Sequence, residues 1–417
     1  RDREHIMKTI FSFILGIALL SNVALADWIT YSSGTNNNLS DVHFLNEHTG
    51  FIAGQGGTVL KSTNSGSSWE TVTVPAAVNL YGISFPTNLV GYICGGNTTN
   101  AKIIKTTDGG NTWVALSTGP VSTLLRDIDF INESTGFAVG TFKNIIKTTD
   151  GGQTWIQTLG GGNSSQTLSS VKMLSAQEVV VCGWYGSISD LIYKTTNGGT
   201  DWESKTSGAI SQLSDIDFVN SNEGYIMGGN VILKTINRGG DWTAIPIQGY
   251  SNIAGLKFIT AITAYAVGYN GAIIKTTDAG FSWSLEASGT NASLVDIDKT
   301  SAHIQVVGAD GIYIRAGNPI GIQNISSEIP SGYKLSQNYP NPFNPVTNIE
   351  FSIPSKGNVK LTVFDITGKE VGLLINDVLS PGTYKFDFNA NHLSSGTYFY
   401  RLVAGDYVET KKMVLVK

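Results

Sequence analysis

The chain has 417 residues, a formal net charge of −5, 48 glycines and only 14% charged residues. Such a composition is typical of many short strands joined by tight turns, with surfaces covered by Ser, Thr and Asn. It argues against a nucleic-acid-binding protein, because no basic block could neutralise a row of phosphates. The length predicts two or more domains unless the chain is a repeat array.

The N-terminus has the features of an export signal. Met7 is the natural start, Lys8 supplies positive charge, and residues 10–20 form an apolar run too short to span a bilayer. Small residues at 24–26 predict cleavage after Ala26, with a retained membrane anchor as the alternative. We therefore expect upstream residues and a signal peptide over residues 1–26.

One eight-residue pattern recurs six times, at residues 62–69, 106–113, 148–155, 195–202, 235–242 and 276–283. Ser or Thr opens each copy, a lysine precedes it, Asn or Asp stands third and Trp closes it. The third residues and the tryptophans are Asn64 and Trp69, Asp108 and Trp113, Asp150 and Trp155, Asn197 and Trp202, Asn237 and Trp242, and Asp278 and Trp283. A fixed period of this kind indicates a repeat architecture.

A seventh repeat is split between the two ends of the chain. Arg315 falls where the next lysine is expected but no pattern follows it, whereas a lone Trp28 stands 41 residues before Trp69. Each period of about 40 residues contains four short strand-like segments, which is the signature of a propeller blade. We predict an all-β fold: a seven-bladed β-propeller over residues 27–317, closed by the N-terminal strand.

The repeated pattern resembles the Asp-box (BNR) repeat. Its longer context, typified by residues 136–140 followed by residues 145–155, resembles propellers of the photosystem II assembly and stability factor type. The resemblance covers about residues 27–318. It implies the fold and leaves function open, because Asp boxes occur in enzymes, receptors and assembly factors alike.

The C-terminal part of the chain changes composition. Residues 318–332 are predicted to be a linker, and residues 333–417 an Ig-like β-sandwich. Motifs at residues 338–343, 363–369, 393–401 and 411–417 resemble the type A sorting domain of the type IX secretion system. The resemblance implies a Gram-negative host of the Bacteroidota kind and export of the protein by the type IX machinery. It also implies a secreted or outer-surface location and removal of the tail. An ordinary accessory Ig-like domain is the alternative.

The Asp-box residues are predicted to be structural, because their oxygens suit capping of a tight turn and their tryptophans suit burial between blades. Cys94 and Cys182 occupy one repeat column in blades that do not touch. Two thiols so placed lie beyond disulfide reach, so we expect two buried free thiols.

Acidic residues form two columns in the first strands of the blades. The columns contain Asp41, Asp127, Asp215 and Asp296 and, two residues on, His43, Asp129, Asp217 and Asp298. Residues i and i+2 of a strand point the same way, so these side chains are expected to line the central channel. A solvated channel wall is the favoured interpretation, with a cation site or a carboxylate pair for glycoside hydrolysis as the alternatives.

No other catalytic or cofactor signal is evident. The propeller has three arginines, of which only Arg126 lies near the expected binding rim, so the arginine triad of a sialidase is absent from the sequence. The histidines of the propeller lack metal-ligand spacing. We therefore expect neither an enzyme nor a bound cofactor.

The leading hypothesis is a non-catalytic module that binds protein or glycan through the loop face of the propeller, with a secreted glycoside hydrolase as the alternative. Exposed aromatic residues in the loops suit stacking on sugars or anchoring a protein. The candidate ligand-binding residues are Trp184, Tyr185, Tyr269, Phe142, Tyr250 and Arg126. The alternative for Trp184 is that it folds down to cover its own blade.

Overall fold

The computed structural model describes residues 28–161, 166–186, 189–207, 212–247, 250–300, 303–317, 322–326, 328–390 and 393–417. Besides strands, this part contains three one-turn 3-10 helices, Gln55–Gly57, Tyr269–Gly271 and Ala309–Gly311. None of the helices in these ranges has the length and apolar character needed to cross a membrane. The expected signal peptide and its cleavage site at Ala26 lie outside the described residues.

Seven four-stranded antiparallel sheets, numbered here 1 to 7 with strands a to d, follow one another along the chain. Sheet 1 comprises Leu39–Phe44, Gly50–Gly54, Val59–Ser62 and Glu70–Thr71. Sheet 2 comprises Leu80–Ser84, Gly91–Gly96, Ala101–Thr106 and Val114–Leu116. Sheet 3 comprises Leu125–Phe130, Gly136–Gly140, Ile145–Thr148 and Ile156–Leu159. Sheet 4 comprises Gln166–Met173, Val179–Tyr185, Ser189–Thr195 and Glu203–Lys205.

Sheets 5 and 6 repeat the pattern, and sheet 7 combines both ends of the repeat region. Sheet 5 comprises Asp215–Phe218, Gly224–Gly228, Val231–Thr235 and Thr243–Pro246. Sheet 6 comprises Ile253–Phe258, Ala264–Gly268, Ile273–Thr276 and Ser284–Glu286. Sheet 7 comprises Leu294–Lys299, His303–Gly308, Tyr313–Gly317 and, as its fourth strand, Ile29–Tyr31. The all-β fold class predicted from the sequence is therefore confirmed.

Burial varies systematically across each sheet. Five of the seven b strands, including Gly50–Gly54 and Gly136–Gly140, are buried at every residue, and in the other two only residues at one end are not. The d strands, such as Val114–Leu116, are mostly exposed. Strands buried on both faces require continuous apolar or small residues, which is why the b strands contain no charged residue. The hydrophobic core therefore lies between neighbouring sheets.

Neighbouring sheets meet through their a strands. The a strand of each sheet contacts the a strand of the next, and the a strand of sheet 7 contacts that of sheet 1. At the outer edge of sheet 7, Ile29–Tyr31 pairs antiparallel with Tyr313–Arg315. The indole Nε1 of Trp28 donates to Glu286 at 2.9 Å, and its ring packs edge-on against Tyr265 of sheet 6 with centroids 5.9 Å apart. The N-terminal residues thus contact both sheet 6 and sheet 7.

The tail forms two further four-stranded sheets. In spatial order the first comprises Ile322–Ser326, Gly382–Asn389, Val346–Ile353 and Lys334–Leu335. The second comprises Glu370–Leu379, Gly357–Phe364, Gly396–Ala404 and Tyr407–Leu415. Alternate residues such as Ile349, Phe351, Leu361 and Leu402 are fully or almost fully buried, as in a β-sandwich.

One detail of the tail differs from the sequence prediction. Residues 318–332 were expected to be a linker, but Ile322–Ser326 is a strand that pairs with Gly382–Asn389. The segment is an edge strand, and its polar composition hides the two-residue alternation by which strands are recognised.

We predict that removing the N-terminal strand destabilises the whole repeat region. A chain beginning at residue 34 lacks the d strand of sheet 7 and the contacts of Trp28, which leaves an unpaired strand edge. Compared with a chain beginning at residue 27, its Tm should be lower by roughly 5 °C or more. Equal melting temperatures in calorimetry would contradict the role assigned to this strand.

Candidate functional site

The Asp-box turns are built as predicted for a structural role. In the second box, the Thr106 hydroxyl accepts the N–H of Gly110 at 2.9 Å, and Asp108 accepts the N–H of Thr112 at 2.9 Å. Gly110 has a φ of +74°, a left-handed conformation that disfavours other residues. The Asp108 carboxylate is fully occupied by its own turn, and the hydrogen bonds from Thr112 lower its pKa.

In four sheets the cation at the end of strand c bonds to the box of the next sheet, whereas Lys194, Lys234 and Lys275 pair with glutamates of their own sheets. Lys61, Lys105 and Lys147 donate to the carbonyl oxygens of Gly109, Gly151 and Gly198 at 2.7–2.8 Å. Each acceptor lies in the box of the following sheet. Arg315 makes the corresponding bond to the carbonyl of Ser65, in the box of sheet 1. These box turns are thus joined to one another. They lie on the face opposite the b–c and d–a loops, and we call the face that carries those loops the loop face.

The two cysteines are buried free thiols, as expected. Burial raises the pKa of both, so neither has the character of a reactive thiolate.

The first acidic column hydrogen-bonds to backbone across the junctions between sheets. Each carboxylate accepts an N–H from the a strand of the following sheet. The pairs are Asp41 with Ile83 at 2.7 Å, Asp127 with Val171 at 2.8 Å, Asp215 with Leu256 at 2.9 Å and Asp296 with Val42 at 2.8 Å. Both acidic columns line the channel, as predicted, but these carboxylates also hold neighbouring sheets together.

The second acidic column is compensated by lysines. Lys257 Nζ lies 3.0 Å from Asp298 Oδ1. Burial raises the pKa of Asp298, but Lys257, His43 and the N–H of Phe44 together hold it below its ordinary value. Asp129 raises the pKa of Lys172 against the opposing effect of burial. This end of the channel therefore has carboxylates and ammonium groups in close pairs.

The first column has no such compensation. Burial raises the pKa of Asp127 to about 7 and, with a contribution from Asp296, that of Asp215 to about 6. Burial, followed by the charges of Asp296 and Asp127, raises the pKa of Asp41 well above its ordinary value. Burial also raises the pKa of Asp296, and because Asp41 and Asp296 interact we expect this pair to share a proton.

A cavity of 610 Å³ opens above this column on the loop face. Its floor contains the four carboxylates, and one wall is formed by Tyr81, Arg126 and Trp184. The guanidinium of Arg126 lies 5.6 Å from the ring of Tyr81 and 5.2 Å from that of Trp184. Its buried Nε has no hydrogen-bond partner, and no carboxylate of the described residues lies within ion-pair distance of it. Burial lowers the pKa of Arg126.

A groove of 490 Å³ adjoins the cavity. Tyr269 lines both, and Tyr250 lines the groove together with the backbone-rich segment at residues 285–291. Tyr269 is 52% exposed, so its ring is available at the point where cavity and groove meet. The loop face therefore has two neighbouring hollows, the cavity beside Arg126 and the groove beside Tyr250, which share Tyr269 as a lining residue.

The structure brings together four of the six predicted ligand-binding residues. Trp184, Arg126 and Tyr269 line the cavity and Tyr250 lines the groove, whereas Tyr185 and Phe142 line neither. Trp184 stacks on an arginine of sheet 3 rather than covering only its own sheet. Sequence reasoning missed Tyr81. The sequence also predicts that the long connections at residues 160–166 and 184–190 rise on this face, but residues 162–165 and 187–188 of these connections lie outside the described residues.

The described residues contain no group of three or more His, Cys, Asp or Glu that could hold a metal ion. The fold and the loop-face depression together define a propeller-type repeat protein that carries an additional β-sandwich. Residues 114–204 and 180–314 match the family model described as "Photosynthesis system II assembly factor YCF48". Residues 337–417 match that described as "Secretion system C-terminal sorting domain". Both resemblances seen in the sequence are thereby confirmed.

Solved structures support the fold. "YCF48 bound to D1 peptide" aligns with a TM-score of 0.58 at 19% identity, covering 70% of this chain and 97% of that chain. "YCF48 from Cyanidioschyzon merolae" gives 0.58 at 17% identity, covering 70% and 98%. The "WD40 beta propeller domain of Doa1" gives 0.56 at 12% identity, covering 70% and 97%. A search of the curated proteins returned no significant match.

We predict that Asn substitutions at two channel aspartates, Asp41 and Asp298, have opposite effects on the stability of the protein at pH 8. In an Asp41→Asn variant the amide can accept from Ile83 N–H and donate to Asp296, which mimics the protonated acid. Because the pKa of Asp41 is raised in the folded protein, its contribution to the free energy of unfolding is greatest below the unfolded pKa of about 3.9. This contribution falls as the pH rises through the pKa of the folded state. The variant should therefore be more stable than wild type at pH 8 by about 1 kcal/mol, with the difference vanishing near pH 4.

The matched control is Asp298→Asn. The lowered pKa of Asp298 gives stability above its unfolded pKa that is lost as pH falls, so this variant should be less stable than wild type at pH 8. Urea unfolding at several pH values measures both effects. A destabilised Asp41→Asn variant at pH 8 would disprove the shared proton.

Proposed function

We propose that this chain is an exported, non-catalytic, seven-bladed propeller over residues 27–317 that binds a segment of another protein through its loop face. The N-terminal strand completes the last blade, and the sorting domain at residues 333–417 directs export. Seven four-stranded sheets, the pairing of Ile29–Tyr31 with sheet 7 and the contact of sheet 7 with sheet 1 support the seven-bladed ring.

The observation that carries the binding function is that the cavity and the groove lie side by side and share Tyr269 as a lining residue. An elongated depression with aromatic residues along it suits an extended chain rather than a small compact molecule. A solved YCF48 of the same fold is described as bound to a peptide, which supports a protein ligand over a glycan.

Glycoside hydrolysis is less well supported. Asp127 and Asp215, the carboxylates available for it, accept backbone N–H groups from neighbouring sheets. A hydrolase needs two carboxyl groups beside the sugar, one as the acid and one as the nucleophile or base. Here both carboxylates are engaged in holding neighbouring sheets together, so a change at either position would disturb the junctions between sheets.

Export follows from the match of residues 337–417 to a secretion sorting domain. We propose that the protein is handled by the type IX machinery and reaches the outside or the outer surface of a Gram-negative cell. The expected signal peptide would serve the first membrane crossing.

To test binding, an array of surface-protein peptides and glycans should be probed with the chain from residue 27 to 417. We expect peptide binding that Tyr269→Ala weakens about fivefold or more, because an aromatic anchor at the joint of cavity and groove is lost. Phe281→Ala, an exposed aromatic in the box turn of sheet 6, is the matched control and should bind as wild type. Glycan binding alone, or equal loss in both variants, would refute the proposal.

To test export, the chain should be truncated after residue 317, which removes every described tail strand. The truncated propeller should accumulate folded in the periplasm of a host with a type IX system, because the sorting domain is lost. Residues 318–417 fused to a reporter should carry the reporter outside. Recovery of the truncated chain in the medium would disprove the assignment.

A further inference from the structure

One repeat column differs sharply in size around the cavity. The residue before each first-column position is Ser40, Tyr81, Arg126, Ser169, Ser214, Ala254 or Val295. The two large members are neighbours, in sheets 2 and 3, and small residues lie opposite them. The cavity is therefore a slot, with the Arg126 guanidinium on its wall and open space before it.

The Arg126 side chain is held in place before any ligand binds. Aromatic rings from sheets 2 and 4 flank it, and the Tyr81 hydroxyl accepts from Asn79 Nδ2 at 3.3 Å. Flanking rings restrict the rotamers of an arginine, so less conformational entropy is lost when its donors are used. Its buried Nε–H has no acceptor within the protein, so the guanidinium gives up no internal hydrogen bond at that atom when a ligand binds.

We propose that Arg126, fixed between Tyr81 and Trp184, binds the carboxylate of an aspartate or glutamate side chain in the protein segment that occupies the loop face. This inference rests on the proposed function, since it names the chemistry that the same site recognises. A planar guanidinium fork matches a carboxylate with two parallel N–H···O bonds. The rest of the segment then runs past Tyr269 into the groove.

Two other anions fit the site less well. A phosphate carries up to two charges and would face the four carboxylates of the floor, which repel a dianion more than a single carboxylate. A uronic acid needs an aromatic face for its ring beside the arginine, but the nearby faces of Tyr81 and Trp184 are covered by the guanidinium.

The test uses the peptides that bind in the array. Each peptide is synthesised in two forms, an acidic member that keeps its Asp and Glu residues and a neutral member in which Asn and Gln replace them. Wild type should bind the acidic member about tenfold more tightly by isothermal calorimetry, as expected for a charge-assisted bidentate contact. Arg126→Gln should remove that preference, so that the acidic and the neutral member of each pair bind the variant with equal affinity. Arg126→Lys should restore only part of it, because the fork is lost.

Melting temperatures show whether each variant is folded, and if Arg126→Gln is not, the Trp184→Phe variant with a smaller stacking ring provides the same comparison. Equal affinity for acidic and neutral peptides, with binding still weakened by Tyr269→Ala, would overturn this inference and leave the proposed function standing. A phosphopeptide or an oligouronate that binds more tightly than the acidic peptide and depends on Arg126 would also overturn it. Peptide binding that Tyr269→Ala does not affect would instead refute the proposed function.

Discussion

The repeat region depends on hydrogen bonds from backbone N–H groups of one a strand to carboxylates of the preceding sheet. Neighbouring sheets share no strand ladder, so the N–H groups that face the channel need acceptors from side chains. Sheets 1, 3, 5 and 7 supply aspartates, and sheets 2, 4, 6 and 1 supply the donors. Because the number of sheets is odd, this alternation places two acidic sheets side by side. That is where Asp41 and Asp296 meet, and the charge of Asp296 adds to the effect of burial in raising the pKa of Asp41.

The same alternation shapes the channel at both ends. In the second column, Lys172 and Lys257 come from even-numbered sheets and neutralise the aspartates beside them. In the first column, the even-numbered sheets carry Gly82, Ser170 and Gly255 instead. A Cβ on Gly82 would lie 2.9 Å from Asp127 Oδ1, so a larger residue has no room there. The mouth on the loop face is consequently acidic, uncompensated and wide, whereas the other end is charge-balanced.

Sequence reasoning recovers features that recur with every repeat. The box turns, the lysine column and the two acidic columns were predicted because each recurs at a fixed position of the repeat. The bonds of Asp41 and Asp127 to neighbouring backbone were not, since they depend on the stagger between sheets. Tyr81 was missed because its column, from Ser40 to Val295, has no common chemistry. The strand Ile322–Ser326 was missed because a polar edge strand lacks the expected alternation.

A repeat column without a common chemistry, such as that of Tyr81 and Arg126, is also where we expect the residues that recognise a ligand. A residue that must cap a turn or bridge two sheets cannot change without weakening a junction, so the repeated positions leave little scope for recognition. Positions whose side chains face the mouth and bond no neighbouring backbone, such as those of Arg126 and Trp184, are free of that constraint. Placed in adjacent sheets, a few large side chains make one wall of the cavity unlike the rest. The site that we propose thus lies where the repeat is least regular.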